Sequence, residues 1–401
     1  MRYFQRQLET VLTRAARGFP AVVLTGPRRA GKTTLLRHLF PRASYRLLED
    51  PALVAAARAD PRSFLDEIEL PAILDEIQNA PELLNFIRAR IDAAPRRRGQ
   101  WFLTGSQDFA LMRGVTESMA GRAAILQLLP LSLVESSKVS PWRGGYAEVL
   151  ARPRDAALWY QSYIQTYIER DVRQISQVRD LATFRRFLAL IASRSGQILN
   201  KTDLAAPLGM SVPGIGEWLG ILETTGQVIL VQPYFENFGK RLIKSPKIYL
   251  SDSGLACHLL GIESERELVR SPFLGPIFEG YVASEIVKSQ ISLGKRRELY
   301  FFRDQRGLEV DFLVPAGSQK LLLVEAKASQ TVYPSAAAPL LNLSESIKSH
   351  DVRSIVVHGG KQTTTQTALT EGASSMDVSS FVQMLHQPGK TRSRRRATGS
   401  R

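Results

Sequence analysis

The sequence is nearly free of the residues that build disulfides and zinc sites. It has one cysteine, Cys257, among 401 residues, so no disulfide can form within the chain. Its five histidines are scattered and show no metal-ligand spacing. These absences exclude a disulfide-stabilised scaffold and a zinc site built from cysteine and histidine. A chain so poor in cysteine fits the reducing cytoplasm.

Long apolar runs are also missing. No run approaches the roughly 20 residues that a membrane-spanning helix requires. Residues 1–17 are charged and polar, and they lack the apolar core of a signal peptide. We therefore expect a cytoplasmic protein without a membrane partner.

Negative charge is in short supply. The 38 acidic residues are outnumbered by 53 Lys and Arg residues, which gives a formal net charge of +15. Part of the excess lies in residues 390–401, which contain basic residues and no acids. A basic surface favours polyanions, chiefly nucleic acid, although many basic proteins bind none. The length indicates two to three domains.

One stretch contains a complete G-x-x-x-x-G-K-T phosphate-binding motif, preceded by an apolar strand pattern and followed by a helical one. Its glycines let successive backbone N–H groups face one anion, and the helix adds its positive end. The motif therefore predicts binding of ATP, with Lys32 at the β- and γ-phosphates and the Thr33 hydroxyl on Mg²⁺. The expected nucleotide-binding residues are Gly26, Pro27, Arg28, Arg29, Ala30, Gly31, Lys32, Thr33 and Thr34.

Two carboxylates end the next apolar strand pattern, residues 71–76. Asp75 is expected in the Mg²⁺ shell, and Glu76 is expected to polarise an attacking water. A strand often ends in a solvated acid, so the pair alone is a weak signal. About 40 residues after a phosphate loop it becomes a strong one.

Two further positions are weaker candidates. Ser106 or Gln107, at the polar end of the strand pattern 101–107, is expected to sense the γ-phosphate, or else forms an ordinary strand-end turn. Arg122 is expected to neutralise phosphate charge, within the chain or from a neighbouring subunit; the alternative is a surface salt bridge. Strands that alternate with helices predict a parallel α/β sheet.

The middle of the chain has two signals. Residues 155–193 carry aromatic and aliphatic side chains at helical spacing, which is typical of core. Residues 200–250 predict helix, turn, helix and β-hairpin, a winged-helix pattern. The presumed recognition helix, residues 211–218, has no Arg or Lys, which argues against base reading. The hairpin is basic and suits phosphate contact. Its basic residues are Lys240, Arg241, Lys244 and Lys247.

A second group of candidate residues lies near the C-terminus. Asp311 lies on one predicted strand, and Glu325 and Lys327 lie two apart on the next, so their side chains share a face. With Glu279 on a preceding helix, these groups are expected to hold Mg²⁺ and activate water for phosphodiester cleavage. Glu285 competes for the helical role. The alternative is an inert domain in which Glu325 and Lys327 form only a salt bridge.

These features resemble known families. Residues 26–34, Asp75-Glu76 and residues 104–107 resemble the ATPase core of the AAA and related P-loop families. Glu279, Asp311 and Glu325-x-Lys327 resemble the PD-(D/E)xK nuclease core, although Val310 stands where the name has proline. Over residues 5–360 the order of parts is similar to an uncharacterised prokaryotic ATPase family with a C-terminal domain of unknown function.

The resemblance and the residues together predict four regions. These are a P-loop ATPase domain (1–135), a helical linker and winged-helix region (136–265), a PD-(D/E)xK-like α/β domain (266–360) and a mostly disordered basic tail (361–401) with one helix near 376–385. The expected function is a Mg²⁺-dependent ATPase whose nucleotide state controls a module that faces DNA and has nuclease potential. The alternative is an ATP-dependent switch for a protein partner with an inert nuclease-like domain. Either form is compatible with an oligomer.

Overall fold

The structure is a computed structural model that describes residues 3–105, 118–168, 180–234, 245–317, 319–360 and 366–386. The predicted sensor positions Ser106 and Gln107 lie outside these residues. So do Lys240, Arg241 and Lys244 of the predicted basic hairpin.

The first part of the chain forms a five-stranded sheet in which every described pairing is parallel. The spatial order of its strands is β2-β3-β4-β1-β5, which confirms the predicted parallel α/β sheet. The strands are β1 (Ala21–Thr25), β2 (Ser44–Leu47), β3 (Ala72–Asp75), β4 (Trp101–Thr104) and β5 (Ala123–Gln127).

Both faces of this sheet are covered by helices. Alternate residues of β1 enter two different cores: Val23 joins the one that contains Leu83, and Leu24 joins the one that contains Leu35. A parallel strand buried on both faces is apolar throughout, which explains the continuous apolar run of β1. The accompanying helices are α1 (Glu9–Gly18), α2 (Lys32–Leu39), α3 (Pro51–Ala59), α4 (Pro61–Asp66) and α5 (Leu83–Ala93).

The middle of the chain is helical around one aromatic core. Tyr160 and Tyr163 are buried there, and the Trp159 ring stacks on Tyr163, which confirms the predicted core stripe at these positions. The predicted stripe positions Tyr167 and Ile168 lie outside the described side chains. The helices are α6 (Ala147–Ala151), α7 (Ala156–Tyr163), α8 (Leu181–Ser193), α9 (Lys201–Ala205), α10 (Val212–Thr224), α11 (Ser253–Leu259) and α12 (Glu265–Arg270).

Helices α9 and α10 are followed by an antiparallel strand pair. The Asn200 side chain caps α9, and the Ser211 hydroxyl caps α10, so each helix begins at a polar residue that satisfies a free N–H. The strands β6 (Val228–Pro233) and β7 (Lys247–Leu250) pair with Val228 opposite Leu250. β6 also pairs with the first strand of the C-terminal sheet, so this pair joins the two regions.

The C-terminal part extends this pair to an eight-stranded mixed sheet. Its order is β12-β13-β11-β10-β9-β8-β6-β7. The added strands are β8 (Tyr300–Arg303), β9 (Glu309–Pro315), β10 (Lys320–Lys327), β11 (Asp351–His358), β12 (Thr367–Thr370) and β13 (Ala373–Asp377). The helices here are α13 (Leu274–Ser292), α14 (Ala338–Ser346) and α15 (Val378–His386).

The predicted tail starts too early. Residues 366–386 are not disordered: β13 pairs in parallel with β11, and all five of its residues are buried. Ser374 and Ser375 are buried in β13, whose backbone N–H and C=O groups are hydrogen-bonded within the sheet. The polar composition of this segment therefore led to a wrong prediction of disorder. The expected helix near 376–385 is present as α15.

Within the described ranges, no helix combines the length and apolar character that crossing a bilayer requires.

Candidate functional site

The phosphate loop connects β1 to α2 in a conformation that requires glycine. Gly26 has φ +139°, and a Cβ there would lie 2.0 Å from the carbonyl oxygen of Leu128. Gly31, with φ +94°, stands immediately before α2. Other residues rarely adopt these angles, so both glycines shape the loop. The N-terminus of α2 therefore points its free N–H groups at the loop.

The loop lysine is folded into the loop. Lys32 is buried, and its Nζ donates to the carbonyl oxygens of Gly26, at 2.9 Å, and Pro27, at 3.2 Å. The ammonium thus lies where a polyphosphate cradled by the loop would meet it.

Asp75 collects hydroxyl groups from three elements. The Thr33 hydroxyl lies 2.8 Å from Oδ2 and 3.0 Å from Oδ1 of this carboxylate, and the Tyr45 hydroxyl donates to Oδ2 at 2.8 Å. The Thr104 hydroxyl also contacts Oδ1. The donor set is hydroxyl and carboxylate oxygen, which hard cations prefer. These residues fit Mg²⁺, for which Thr33 and Asp75 would be the protein ligands.

Glu76 is held beside the loop by an unusual backbone. Its φ is +59°, in the left-handed region that is costly for a residue with a Cβ. Its N–H donates to the Thr104 hydroxyl at 3.2 Å, and the Gln78 amide contacts its carboxylate. The Arg28 guanidinium lies 3.7 Å from the same carboxylate. This strained backbone directs Glu76 into the cavity that the loop lines.

The cavity has a volume of about 510 Å³ and joins three parts of the chain. Volumes of about 300–1,000 Å³ are typical of small-molecule sites. The phosphate loop and both acids line one side, the N-terminal residues Tyr3 and Phe4 another, and Gly145 and Glu148 of the middle region a third. The sequence did not indicate the last two walls.

Arg6 is a site residue that motif reading missed. It is 7% exposed, and its guanidinium donates to the carbonyl oxygens of Ala30, at 2.8 Å, and Leu129, at 2.7 Å. Its Nε pairs with Glu135 at 3.0 Å. These contacts fix the N-terminal segment to the phosphate loop. A single arginine among several near the N-terminus gives no signal in the sequence.

The middle region contacts the loop directly. The Tyr163 hydroxyl donates to the carbonyl oxygen of Arg28 at 3.3 Å and accepts a hydrogen bond from the Gln227 amide at 3.0 Å. Gly226 packs against the Pro27 ring: a Cβ on this glycine would lie 3.3 Å from the ring. Gln227 directly precedes β6. A hydrogen-bonded path therefore runs from the loop to the strand pair β6–β7.

Arg122 does not reach the cavity. It lies just before β5, whose first residue pairs with Ala21 at the amino end of β1, whereas the phosphate loop follows the carboxyl end. At about 3.3 Å per residue, the first and last residues of β1 are roughly 13 Å apart. Its guanidinium pairs with Asp92 at 2.6 Å. The predicted role within the chain is therefore wrong, and the role from a neighbouring subunit stays a prediction.

In the C-terminal sheet, the predicted acids do converge. Asp311 accepts a hydrogen bond from the Ala326 N–H at 2.9 Å, which fixes it beside the neighbouring strand. Lys327 donates to Glu325 Oε1 at 2.7 Å, while Glu325 Oε2 is buried without a hydrogen-bond partner in the described part of the chain. We call Glu279, Glu309, Asp311 and Glu325 the carboxylate cluster.

Lys247 is the unexpected member of this group. It is 2% exposed, and its Nζ lies 2.7 Å from Glu309, 2.9 Å from Glu279 and 3.7 Å from Asp311. The prediction that Lys247 contacts phosphate from an exposed hairpin is therefore wrong. Its ammonium is paired with partly buried carboxylates because β7 packs at the edge of the C-terminal sheet.

Burial changes the acidity of the cluster. Desolvation and the neighbouring Asp311 charge raise the pKa of Glu279 to about 7, although Lys247 opposes the shift. The same two causes raise the pKa of Glu325 to about 7, opposed by Lys327. Burial alone would lower the pKa of Lys247, but the surrounding carboxylates raise it.

The cluster does not fit the predicted Mg²⁺. Asp311 and Glu325 were expected as its ligands, yet the Lys247 ammonium lies 3.7 Å from Asp311 and the Lys327 ammonium lies 2.7 Å from Glu325. Among the described residues, no group of three His, Cys, Asp or Glu side chains has a geometry suited to a metal ion. The sequence did not indicate this pairing because Lys247, which supplies the ammonium, lies on a strand more than 60 residues before Asp311.

Glu285, the competing helical acid, takes no part in the cluster. It is fully buried, accepts the Leu133 N–H at 2.8 Å and pairs with Lys288 at 3.1 Å. Of the two candidates on α13, only Glu279 faces Asp311 and Lys247.

Comparisons with known proteins divide the chain into three matched parts. Residues 18–137 match the model of an AAA domain, residues 140–266 match a domain of unknown function (DUF8612), and residues 274–374 match another (DUF4143). The uncharacterized protein Rv2008c of Mycobacterium tuberculosis is 35% identical over 317 residues, which cover 77% of this chain and 71% of that one. The uncharacterized protein Mb2031c of Mycobacterium bovis matches equally.

A solved structure, the Walker-type ATPase PABY2304 of Pyrococcus abyssi, is 16% identical. It covers 64% of this chain and 96% of its own, with a TM-score of 0.45.

Proposed function

The chain belongs to the same family as the uncharacterized mycobacterial protein Rv2008c and contains an AAA domain over residues 18–137, and from this premise we propose that it is a Mg²⁺-dependent ATP hydrolase. One observation carries the proposal. A single cavity of about 510 Å³ is lined by the buried loop lysine, by the Thr33–Asp75 pair and by Glu76. Phosphoryl transfer to water needs charge neutralisation, a metal shell and a water-orienting base, and these residues supply each.

The roles follow from the contacts. Lys32 turns its ammonium from the loop carbonyls to the β- and γ-phosphates of ATP. Bound Mg²⁺ would neutralise charge between those phosphates, with Thr33 and Asp75 as its protein ligands. Glu76 accepts the proton of the attacking water, and its left-handed backbone keeps the carboxylate aimed at the loop. The walls formed by Tyr3, Phe4 and Glu148 restrict access of bulk water.

The test is a comparison of Glu76→Gln with Glu67→Gln, an exposed acid on the same domain outside the cavity. We expect Glu76→Gln to lower kcat by about 10²–10⁴ while ATP binding changes little, since a general base acts on the chemical step. Release of inorganic phosphate measures kcat, and titration with a fluorescent ATP analogue measures nucleotide binding. Undiminished turnover in Glu76→Gln, or no turnover in the wild type, would overturn the proposal.

We further propose that nucleotide state is passed to the C-terminal sheet. The support is the path from the Arg28 carbonyl through Tyr163 to Gln227, which directly precedes β6. β6 pairs with β8 of the C-terminal sheet. In this scheme residues 1–135 hydrolyse ATP, 136–265 form a helical and winged-helix region, and a nuclease-like domain starts at 266 and extends to residue 386.

Two roles for the C-terminal module remain in competition. In the first it binds DNA through the basic hairpin and cuts or grips it. In the second it is inert toward nucleic acid, and ATP governs a protein partner. The position of Lys247 within the carboxylate cluster supports the second, because metal-assisted cleavage needs that position for a cation. We propose the second role, in the cytoplasm, where the single buried thiol of Cys257 would stay reduced.

Incubation of the protein with DNA, Mg²⁺ and ATP separates the two roles. DNA-stimulated turnover, with nicking that Lys327→Ala abolishes, would establish the first. ATP hydrolysis without binding or breakage of DNA would establish the second and direct the search to protein partners.

A further inference from the structure

We infer that the Lys247 ammonium is a built-in replacement for a metal ion in the carboxylate cluster. The wild-type cluster then takes up no divalent cation, and removal of this one ammonium group creates a site for one. The inference concerns the C-terminal sheet alone and does not depend on ATP hydrolysis.

The geometry around Nζ is that of a cation site filled by an ammonium group. Carboxylate oxygens of Glu309 and Glu279 lie at 2.7 and 2.9 Å, and one of Asp311 lies at 3.7 Å. The shorter distances are those of charge-assisted N–H···O bonds. Oxygen ligands of Mg²⁺ or Mn²⁺ lie nearer, at about 2.0–2.2 Å. The acids have therefore closed around an ammonium group, and a metal in its place would require them, Asp311 most of all, to move inward.

Charge decides which cation can stay. Lys247 is almost fully buried, and its Nζ lies over the Phe301 ring, 5.6 Å from the ring centroid. A divalent ion in the same cluster would lie within a few ångströms of an ammonium group that water cannot screen, and like charges repel strongly there. Metal and ammonium are therefore mutually exclusive occupants.

The ammonium comes from outside the strands and the helix that carry the acids. Glu279 lies on α13, and Glu309 and Asp311 lie on β9, whereas Lys247 is the first residue of β7. The cluster is completed only when the β6–β7 pair docks at the sheet edge. A single replacement on β7 can therefore remove the cation and leave every acid in place.

The test uses Mn²⁺ as a probe, with bound ion measured by electron paramagnetic resonance on the full chain without nucleotide. The variants are Lys247→Met, which keeps the apolar stem, and Lys247→Met combined with Glu279→Gln. Lys288→Met is the matched control, because it removes another buried lysine that pairs with a carboxylate elsewhere on α13. Thr33 and Asp75 are unchanged throughout, so any Mn²⁺ bound there is common to all samples.

We expect Lys247→Met to bind about one Mn²⁺ more per chain than the wild type, because three carboxylates lose the ammonium that they share and carboxylate oxygens are ligands that divalent ions prefer. Glu309 keeps its ion pair with Arg303, at 3.4 Å, in every variant. Adding Glu279→Gln should weaken the affinity of this extra site for Mn²⁺ at least tenfold. Lys288→Met should bind no more Mn²⁺ than the wild type. A folded Lys247→Met protein without the extra ion would overturn the inference.

A second comparison decides the matter if Lys247→Met does not fold. Wild type and Glu279→Gln should bind the same amount of Mn²⁺, because the inference gives the wild-type cluster none to lose. A loss of bound Mn²⁺ in Glu279→Gln would show that the native cluster holds metal beside Lys247. Because the turnover assay with Glu76→Gln reports only on the phosphate loop, failure of the ATPase proposal would be recognised separately.

Discussion

Replacement of Arg6 by Met is expected to loosen the phosphate loop, although Arg6 lies 20 residues before the motif. Its guanidinium holds two carbonyl oxygens, of Ala30 and Leu129, and pairs with Glu135, which is only 4% exposed. Met preserves the apolar stem and removes all three contacts. Loss of one partner from a buried ion pair typically costs about 3–5 kcal/mol, because the other charge remains buried.

The other hydrogen bonds of Glu135 place the expected loss of stability near the lower end of that range. Its carboxylate also accepts the backbone N–H groups of Gln7, at 2.8 Å, and Ser132, at 2.9 Å, so it keeps two hydrogen bonds when Arg6 is removed. We therefore expect a cost near about 3 kcal/mol. For a domain of this size, that corresponds to a fall in Tm of roughly 6–12 °C.

The assay is thermal unfolding of the wild type, Arg6→Met, Glu135→Gln and the double variant. Arg17→Met, an exposed position on α1, is the control and should stay within about 0.5 kcal/mol of the wild type. The two single losses should not add, because the residues share one ion pair. The Km for ATP should rise in Arg6→Met, since the Ala30 carbonyl is freed. A loss below about 1 kcal/mol, or strict additivity, would refute the structural role given to Arg6.

Three further changes test other parts of the structure. Gly26→Ala should abolish ATP binding because its Cβ would clash with the carbonyl oxygen of Leu128, the residue just after β5, whereas Gly18→Ala, with open space around it, should bind normally in the same fluorescence titration. The free energy of unfolding should fall as pH rises from about 4.5 to about 7, because burial raises the pKa of Glu325 above its value in the unfolded chain. Unfolding curves recorded across this pH range should show that Glu325→Gln removes up to about 3 kcal/mol of this pH dependence. Tyr163→Phe should leave ATP hydrolysis within a few-fold but weaken nucleotide-dependent protection of β6 in hydrogen exchange, and unchanged protection would exclude the proposed path.

Local patterns predict the nucleotide site, and the phosphate loop has the backbone conformation that the motif requires. Two glycines with positive φ, a lysine and a threonine at fixed spacing determine the loop, and the acids Asp75 and Glu76 follow an apolar strand of the same sheet. The shape of the loop can be predicted because it depends on near neighbours in the chain, whereas the roles of its side chains toward ATP and Mg²⁺ stay a prediction. Parallel strands then bring their carboxyl ends to one edge without any further information.

The sequence-based predictions failed for residues whose position is determined by contacts with residues far away in the chain. Arg122 precedes its strand, so it belongs to the amino edge of the sheet, and the direction of a parallel strand alone already excludes contact with the loop. Lys247 was taken for an exposed hairpin residue because its partners Glu279 and Asp311 lie 32 and 64 positions away. No periodicity within β7 reveals which sheet edge it joins. Arg6 was missed for the same reason.

The difference between the two acidic sites explains why only one of them suits metal chemistry. At the phosphate loop, Asp75 is surrounded by the hydroxyls of Thr33, Tyr45 and Thr104, which are neutral. An entering cation exchanges hydrogen bonds from neutral hydroxyls to a carboxylate, each worth about 1.5–3 kcal/mol, for direct coordination, and none of these three hydroxyl partners carries a positive charge that would repel it. In the carboxylate cluster, the ammonium of Lys247 must first leave three carboxylates, and breaking a buried charge pair costs about 3–5 kcal/mol. Both sites offer carboxylate oxygens, but we expect only the phosphate-loop site to bind a divalent metal, because Lys247 already provides the cation in the carboxylate cluster.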